Sequence, residues 1–322
     1  MTHAAADPMD VAPLSSGLTS MRTCRLVSHP MNRRLLFARV KGAYVARRSG
    51  RTRPRIFALL MLLLASLPWR ASFGCGPTSD CLIPEGSYRI RLPSNPPAGR
   101  PLGAVVYFHG WQQSAEDVMA DASLAATTER LRIVLVALNG EEKTWSFPSS
   151  PTHHRDDFAY ANAVVDDIVR RFPIDRQRLL GVGFSQGASM IWYLACRDPR
   201  MFAAFAPMSG AFWQPAPDRC AAPLPVLFHL HGLADTTVPL GGREVAPGIR
   251  QDSVCDSFAI LGGPRILHAS EPVRLKGSED LHLTCERSAR QADGGLLELC
   301  LHAGGHFAVA GWVEHAWRAI AH

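Results

Sequence analysis

The sequence predicts an α/β fold: a mostly parallel central sheet with helices on both faces. Two patterns carry that prediction. The strand-like runs are continuously apolar rather than alternating, and helix-like segments separate one from the next. A third observation bounds the size: of 322 residues, 47% are hydrophobic and 19% charged, an ordinary globular composition with ample material for one large core.

Taken in order, residues 88–92 read as a strand, and residues 104–110 as an apolar strand ending in a glycine. Residues 115–131 carry one helical pattern, and residues 132–139 form a second buried strand. Residues 156–173 make an amphipathic helix whose acidic start and basic end complement the helix dipole. Next come a strand over 178–184, a helix over 185–196, and strands over 202–210 and 225–232. A helix around 253–261, a strand over 297–302 and a terminal helix complete the series. In such sheets ligands bind at the carboxyl ends of the strands.

Charge is unevenly spread. Residues 1–75 hold 12 Lys+Arg and 2 Asp+Glu, against 22 and 26 in the remainder, so the formal +6 belongs to a leader and the folded part is mildly acidic. No nucleic-acid partner is expected. In the leader, Arg47, Arg48, Arg51, Arg53 and Arg55 precede the apolar run 56–69. That run is shorter than the ~20 residues of a bilayer span and suits a secretory signal, with Ser72 and Gly74 permitting cleavage before Cys75. An uncleaved anchor, a lipidated Cys75 and a start at Met31 are the alternatives. The expected organisation is an N-terminal extension and signal peptide over 1–74 and a catalytic domain over 75–322. No stable membrane span is expected after cleavage, and the location would be secreted or periplasmic.

Seven of the eight cysteines lie from Cys75 onward, and an oxidising compartment would let them pair. Cys75 and Cys81 could close a small loop, and Cys196 could reach Cys220 in the Pro-rich loop that follows. Cys285 and Cys300 sit on strand-like runs around the turn signal at Asp293-Gly294. Cys255 is left over as a small buried apolar residue. No zinc-ligand spacing appears, so neither metal nor cofactor is expected.

Between the strand over 178–184 and the next helix stands Gly183-Phe184-Ser185-Gln186-Gly187. Gly-x-Ser-x-Gly at a strand-to-helix turn lifts a serine hydroxyl clear of the sheet above a helix N-terminus, which makes Ser185 the candidate nucleophile. A serine needs a base, and the base an orienting carboxylate. Chain order then selects Asp235, in the loop after the strand over 225–232, and His306, in the glycine-flanked loop after the strand over 297–302. Asp252 and Asp256 are rivals expected to be surface-exposed, and His229, His231 and His302 are expected in core or capping roles. His109 is expected to make a structural hydrogen bond at a strand end. An oxyanion needs two aimed N–H donors, for which the backbones of Gln186 and Trp111 are the candidates. Trp111, Trp145 and Trp213 are candidates for lining the substrate pocket.

The stretches 107–119, 156–196, 231–239 and 304–306 resemble the secreted polyhydroxybutyrate depolymerase and feruloyl esterase family of α/β hydrolases. The resemblance covers about residues 75–310. It implies an α/β-hydrolase fold, a Ser185-Asp235-His306 triad, an oxyanion hole shaped by Trp111 and Gln186, and hydrolysis of carboxylic esters through an acyl-enzyme. With no Ser- or Thr-rich linker after His306, soluble esters or oligomers are expected as substrates. A serine exopeptidase of the same fold and a non-catalytic binding protein are the alternative readings.

Overall fold

The computed structural model describes residues 74–262, 267–275 and 281–320; the signal-peptide expectation, with its cleavage point, falls almost wholly outside them. A hairpin of β1 (Cys81–Ile83) and β2 (Gly86–Arg91) leads into β3 (Leu102–Phe108). Then follow α1 (Ala115–Ala120), α2 (Ala122–Leu131), β4 (Val134–Leu138), α3 (Asp157–Arg171), β5 (Ile174–Phe184) and α4 (Gln186–Arg197). Next are β6 (Ala204–Met208), β7 (Val226–Gly232), the small hairpin β8 (Arg243–Ala246) with β9 (Ile249–Gln251), and α5 (Val254–Gly262). The chain closes with β10 (His268–Ala269), β11 (Val273–Leu275), β12 (Leu281–Arg287), β13 (Leu296–His302) and α6 (Ala310–Arg318).

The strands assemble in the order β1-β2-β4-β3-β5-β6-β7-β13-β12-β10, with β11 also on β12. From β4 to β13 every pairing is parallel, while β2 on one side and β12 on the other join antiparallel. The continuous apolar runs follow from burial on both faces. Val105, Leu135 and Val182 point into one core with Val118, Leu124 and Trp312 from α1, α2 and α6. Val106, Val136 and Leu299 point into the other with Tyr160, Met190 and Phe258 from α3, α4 and α5. Successive strand residues alternate between the two layers, as the two-residue period requires. Among the described residues, no helix is long and apolar enough to cross a membrane.

The helix expected over 115–131 is broken in two. Asp121, with extended backbone, ends α1 and caps α2, its side chain accepting from the Leu124 amide at 2.9 Å. A short acidic side chain that can bond the next turn competes with helix continuation, which a purely apolar periodicity does not register. The three cysteine pairs proposed from the sequence are disulfides: Cys75–Cys81, Cys196–Cys220 and Cys285–Cys300. Cys285 and Cys300 are directly opposite in the β12–β13 register, with 4.1 Å between Cα atoms. Cys255, expected as a buried apolar residue, is partly exposed on the first turn of α5 and is not a free thiol.

Candidate active site

β3, β5, β7 and β13 run parallel, so the loops after them gather at one edge of the sheet. Ser185 follows β5. Its backbone (φ 55°, ψ −116°) lies in a region that costs a non-glycine residue of order 1–3 kcal/mol. The flanking glycines make that turn possible. A Cβ on Gly183 would sit 2.3 Å from the Gly187 carbonyl oxygen, and one on Gly187 would sit 2.1 Å from the Phe108 carbonyl oxygen. The turn is further held by the Ser185 amide, which donates to the Met208 carbonyl at 2.9 Å. Ser185 stands at the N-cap of α4, yet its side chain makes no capping bond. Instead Oγ lies 3.0 Å from Nε2 of His306, whose Nδ1 lies 2.7 Å from Oδ2 of Asp235.

Asp235 is 5% exposed, and burial alone would favour its neutral form. Hydrogen bonds from His306 and the Val238 amide, with help from the Ser209 hydroxyl, outweigh that penalty and hold the carboxyl below its usual range. Its Oδ1 accepts from the amides of Thr237 at 3.0 Å and Val238 at 2.7 Å. An ionised Asp235 can only accept, so Nδ1 of His306 carries the proton and Nε2 faces the serine hydroxyl as an acceptor.

The other histidines are differently employed. Burial pushes His109 down to about 4, so it is neutral. Its Nδ1–H donates to the Gly110 carbonyl at 2.7 Å, and its Nε2 accepts from the Gly140 amide at 3.0 Å. His229 and His231 are fully buried, and burial lowers both. Nδ1 of His302 accepts from the Gly304 amide at 3.1 Å. Asp252, expected on an exposed helix surface, is 8% exposed and precedes α5, where the Gln214 side-chain amide donates to it. Asp256 is exposed and bonded to Ser253.

The loop after β3 carries Trp111, which is 65% exposed. A second segment, 140–145, braces it: the Gln112 amide donates to the Lys143 carbonyl at 2.9 Å, and the Trp145 indole donates to the His109 carbonyl at 2.8 Å. Gln186 contributes the first amide of α4, and its buried side chain bonds the Thr144 hydroxyl of the same segment. Trp145 and Trp213, candidates for lining a pocket, are instead core residues. Both are buried, and the Trp213 indole donates to Ser189 Oγ at 3.1 Å. Indoles near strand ends can fold under their loops wherever an internal acceptor meets the N–H. Nothing local in the sequence marks Thr144, Ser209 or Gly140, whose partners Gln186, Asp235 and His109 lie on distant parts of the chain. The cluster of potential metal-binding side chains among the described residues, Cys285, Glu298 and Cys300, has its sulfurs in a disulfide and Glu298 paired with Arg287 and with His315 at 2.7 Å.

Comparison with known proteins gives a consistent set of likenesses. The Esterase family model, described as "Putative esterase", matches residues 84–229. The chain is 29% identical over 245 residues to "Putative esterase NocK" of Nocardia uniformis subsp. tsuyamanensis, covering 68% of this chain and 70% of that protein. It is 24% identical to "Probable feruloyl esterase C" of Aspergillus flavus, over 68% of this chain and 83% of the relative. With "Poly(3-hydroxyalkanoate) depolymerase C" of Paucimonas lemoignei it shares 29% identity over 61% of this chain and 45% of the relative.

Proposed function

The chain is a carboxylic ester hydrolase of the α/β-hydrolase fold, and from that premise we propose that it works as an extracytoplasmic serine esterase with Ser185, His306 and Asp235 as its triad. The observation that carries the reading is the continuous line from Ser185 Oγ to His306 Nε2 and from His306 Nδ1 to Asp235. His306 takes the serine proton as Oγ attacks the ester carbonyl, and Asp235 stabilises the imidazolium that results. His306 then protonates the leaving alcohol, and water repeats the cycle on the acyl-enzyme. The amides of Gln186 and Trp111 receive the oxyanion. Exposed Trp111 contributes an apolar surface beside the scissile bond. Three disulfides support an oxidising compartment.

The substrates proposed are soluble esters of 3-hydroxyacyl or aromatic acids, on the likeness to relatives named feruloyl esterase and polyhydroxyalkanoate depolymerase. A panel of p-nitrophenyl esters, short 3-hydroxyacyl oligomers, methyl ferulate and aminoacyl-nitroanilides tests both levels. Turnover of the esters with none of the anilides is expected. Turnover of anilides alone would assign a peptidase, and turnover of nothing, with a fluorophosphonate failing to label Ser185, would remove the catalytic reading.

A further inference from the structure

Behind Asp235 lies a buried chain of groups that the ester chemistry described above does not use. Nε2 of His231 is 2.8 Å from the Val238 carbonyl, and Nδ1 of His231 is 3.0 Å from Nε2 of His229. A carbonyl only accepts, so Nε2 of His231 carries a proton. In the neutral ring Nδ1 is then an acceptor, and His229 is the donor to it. The order of donation is fixed: His229 to His231, and His231 to the carbonyl of Val238. The amide of that same residue is one of the two that clamp Oδ1 of Asp235, at 2.7 Å. One residue thus has its carbonyl tied to His231 and its amide tied to the acid.

Rings that are neutral matter here as much as rings that are bonded. His231 Nε2 is only 3.7 Å from Asp235 Oδ2, the oxygen that His306 uses. A protonated His231 would form a second ion pair with that oxygen and compete with His306 for it. Complete burial opposes that protonation, and donation from His229 occupies the nitrogen where the extra proton would have to sit.

We propose that His231, oriented by His229, is a positioning residue for the reaction: through the Val238 peptide it sets the height and rotation of the Asp235 carboxylate, and with it the His306 ring. The inference rests on the Ser185–His306–Asp235 reading. A misplacement of about 1 Å at such a group can lower turnover by about 100-fold without touching substrate binding.

The test compares the full chain carrying His231→Leu, His231→Gln or His231→Asn with wild type, Ser185→Ala and Asp235→Asn. Gln can place a donor where Nε2 stood; Asn is equally polar but one methylene too short to reach Val238. The Leu and Asn variants are expected to lose about 10- to 100-fold in kcat with KM within about two-fold of wild type, and Gln to recover most of the loss. Circular dichroism and melting establish which variants are folded. Should Leu fail to fold, the Gln–Asn pair still decides. Equal kcat for folded Gln and Asn variants, or wild-type kcat in both, would overturn the positioning role while an inactive Ser185→Ala kept the triad reading intact. An active Ser185→Ala would instead overturn the triad reading itself.

Discussion

Two carboxylates, Asp235 after β7 and Asp252 before α5, are buried to nearly the same degree, 5% and 8% exposed, yet sit in opposite electrostatic settings. Asp235 receives the amides of Thr237 and Val238, the His306 ring and the Ser209 hydroxyl, and its carboxyl is held low. Asp252 receives the Gln214 side chain on Oδ1, while Oδ2 is buried without a hydrogen-bond partner among the described residues. Burial, reinforced by Asp256, pushes its carboxyl up despite Gln214 and Arg250. Burial alone therefore says nothing about function. What separates the two is the number of donors aimed at the charged form, and only Asp235 is prepared to carry a stable charge beside a histidine.

The largest expected effect tests whether the Asp235 side is catalytic at all. Ser185→Ala should lower kcat by ~10⁴ or more while the fold persists, since the hydroxyl makes no capping bond whose loss would unravel α4. Retention of even a tenth of the wild-type rate by purified, folded protein would remove the elbow from the chemistry. Next, Asp235→Asn should favour the wrong imidazole tautomer and lower kcat by ~10³–10⁴. Asp252→Asn and Asp256→Asn should leave kcat almost unchanged. Steady-state kinetics on one ester decides the ranking, and its reversal would transfer the acid to Asp252 or Asp256, at the start of α5.

A smaller effect separates support of the site from support of the fold. Cys300 lies on β13, six residues before His306, and bonds Cys285 directly across the β12–β13 pair. Cys285→Ser/Cys300→Ser should cost roughly 3 kcal/mol of stability, seen as a lower Tm, and should also reduce kcat. Cys196→Ser/Cys220→Ser opens a bridge at the far end of α4 and should lower Tm alone. Peptide mapping without reduction checks the pairing first. Equal loss of kcat in the two double variants would mean that the β12–β13 bridge has no particular hold on the base.

How much of this was readable in the sequence follows the range of the interactions. The elbow is a five-residue event, so the glycine spacing and the switch from apolar strand to helix declare it locally. Asp235 and His306 are 71 residues apart, but each follows a recognisable strand, and parallel topology brings the ends of β5, β7 and β13 to one edge. The Cys285–Cys300 pair was legible because a turn signal lies between two strand-like runs. Other features were not legible because their partners are remote or their signal is ambiguous. The burial of Asp252 depends on Gln214, 38 residues away. The bracing of Gln186 depends on Thr144, 42 residues away. The indoles of Trp145 and Trp213 could have faced either a pocket or the core, and internal acceptors on His109 and Ser189 draw them inward.

The smallest effect is also the one that compares the two carboxylates most directly, through the sign of a pH dependence. A carboxyl lowered in the fold binds fewer protons than in the unfolded chain, so Asp235 contributes stability above its unfolded value of ~3.9, lost as pH falls through the folded value. Asp252 is raised, so the folded chain binds more protons over the window from ~3.9 up to its folded value, and wild-type stability declines as pH rises through that window. An asparagine removes either contribution. Relative to wild type, Asp235→Asn should therefore lose stability as pH rises through the interval from the folded value of Asp235 to ~3.9 and stay level above it, and Asp252→Asn should gain stability as pH rises from ~3.9 to the folded value of Asp252. The slopes are informative even if each asparagine adds a constant cost of its own, because such a cost does not vary with pH. Melting curves of the three proteins at four or five pH values give both slopes. If they share a sign, the donors around Asp235 do not outweigh its burial, and the contrast between the two sites fails at its electrostatic root.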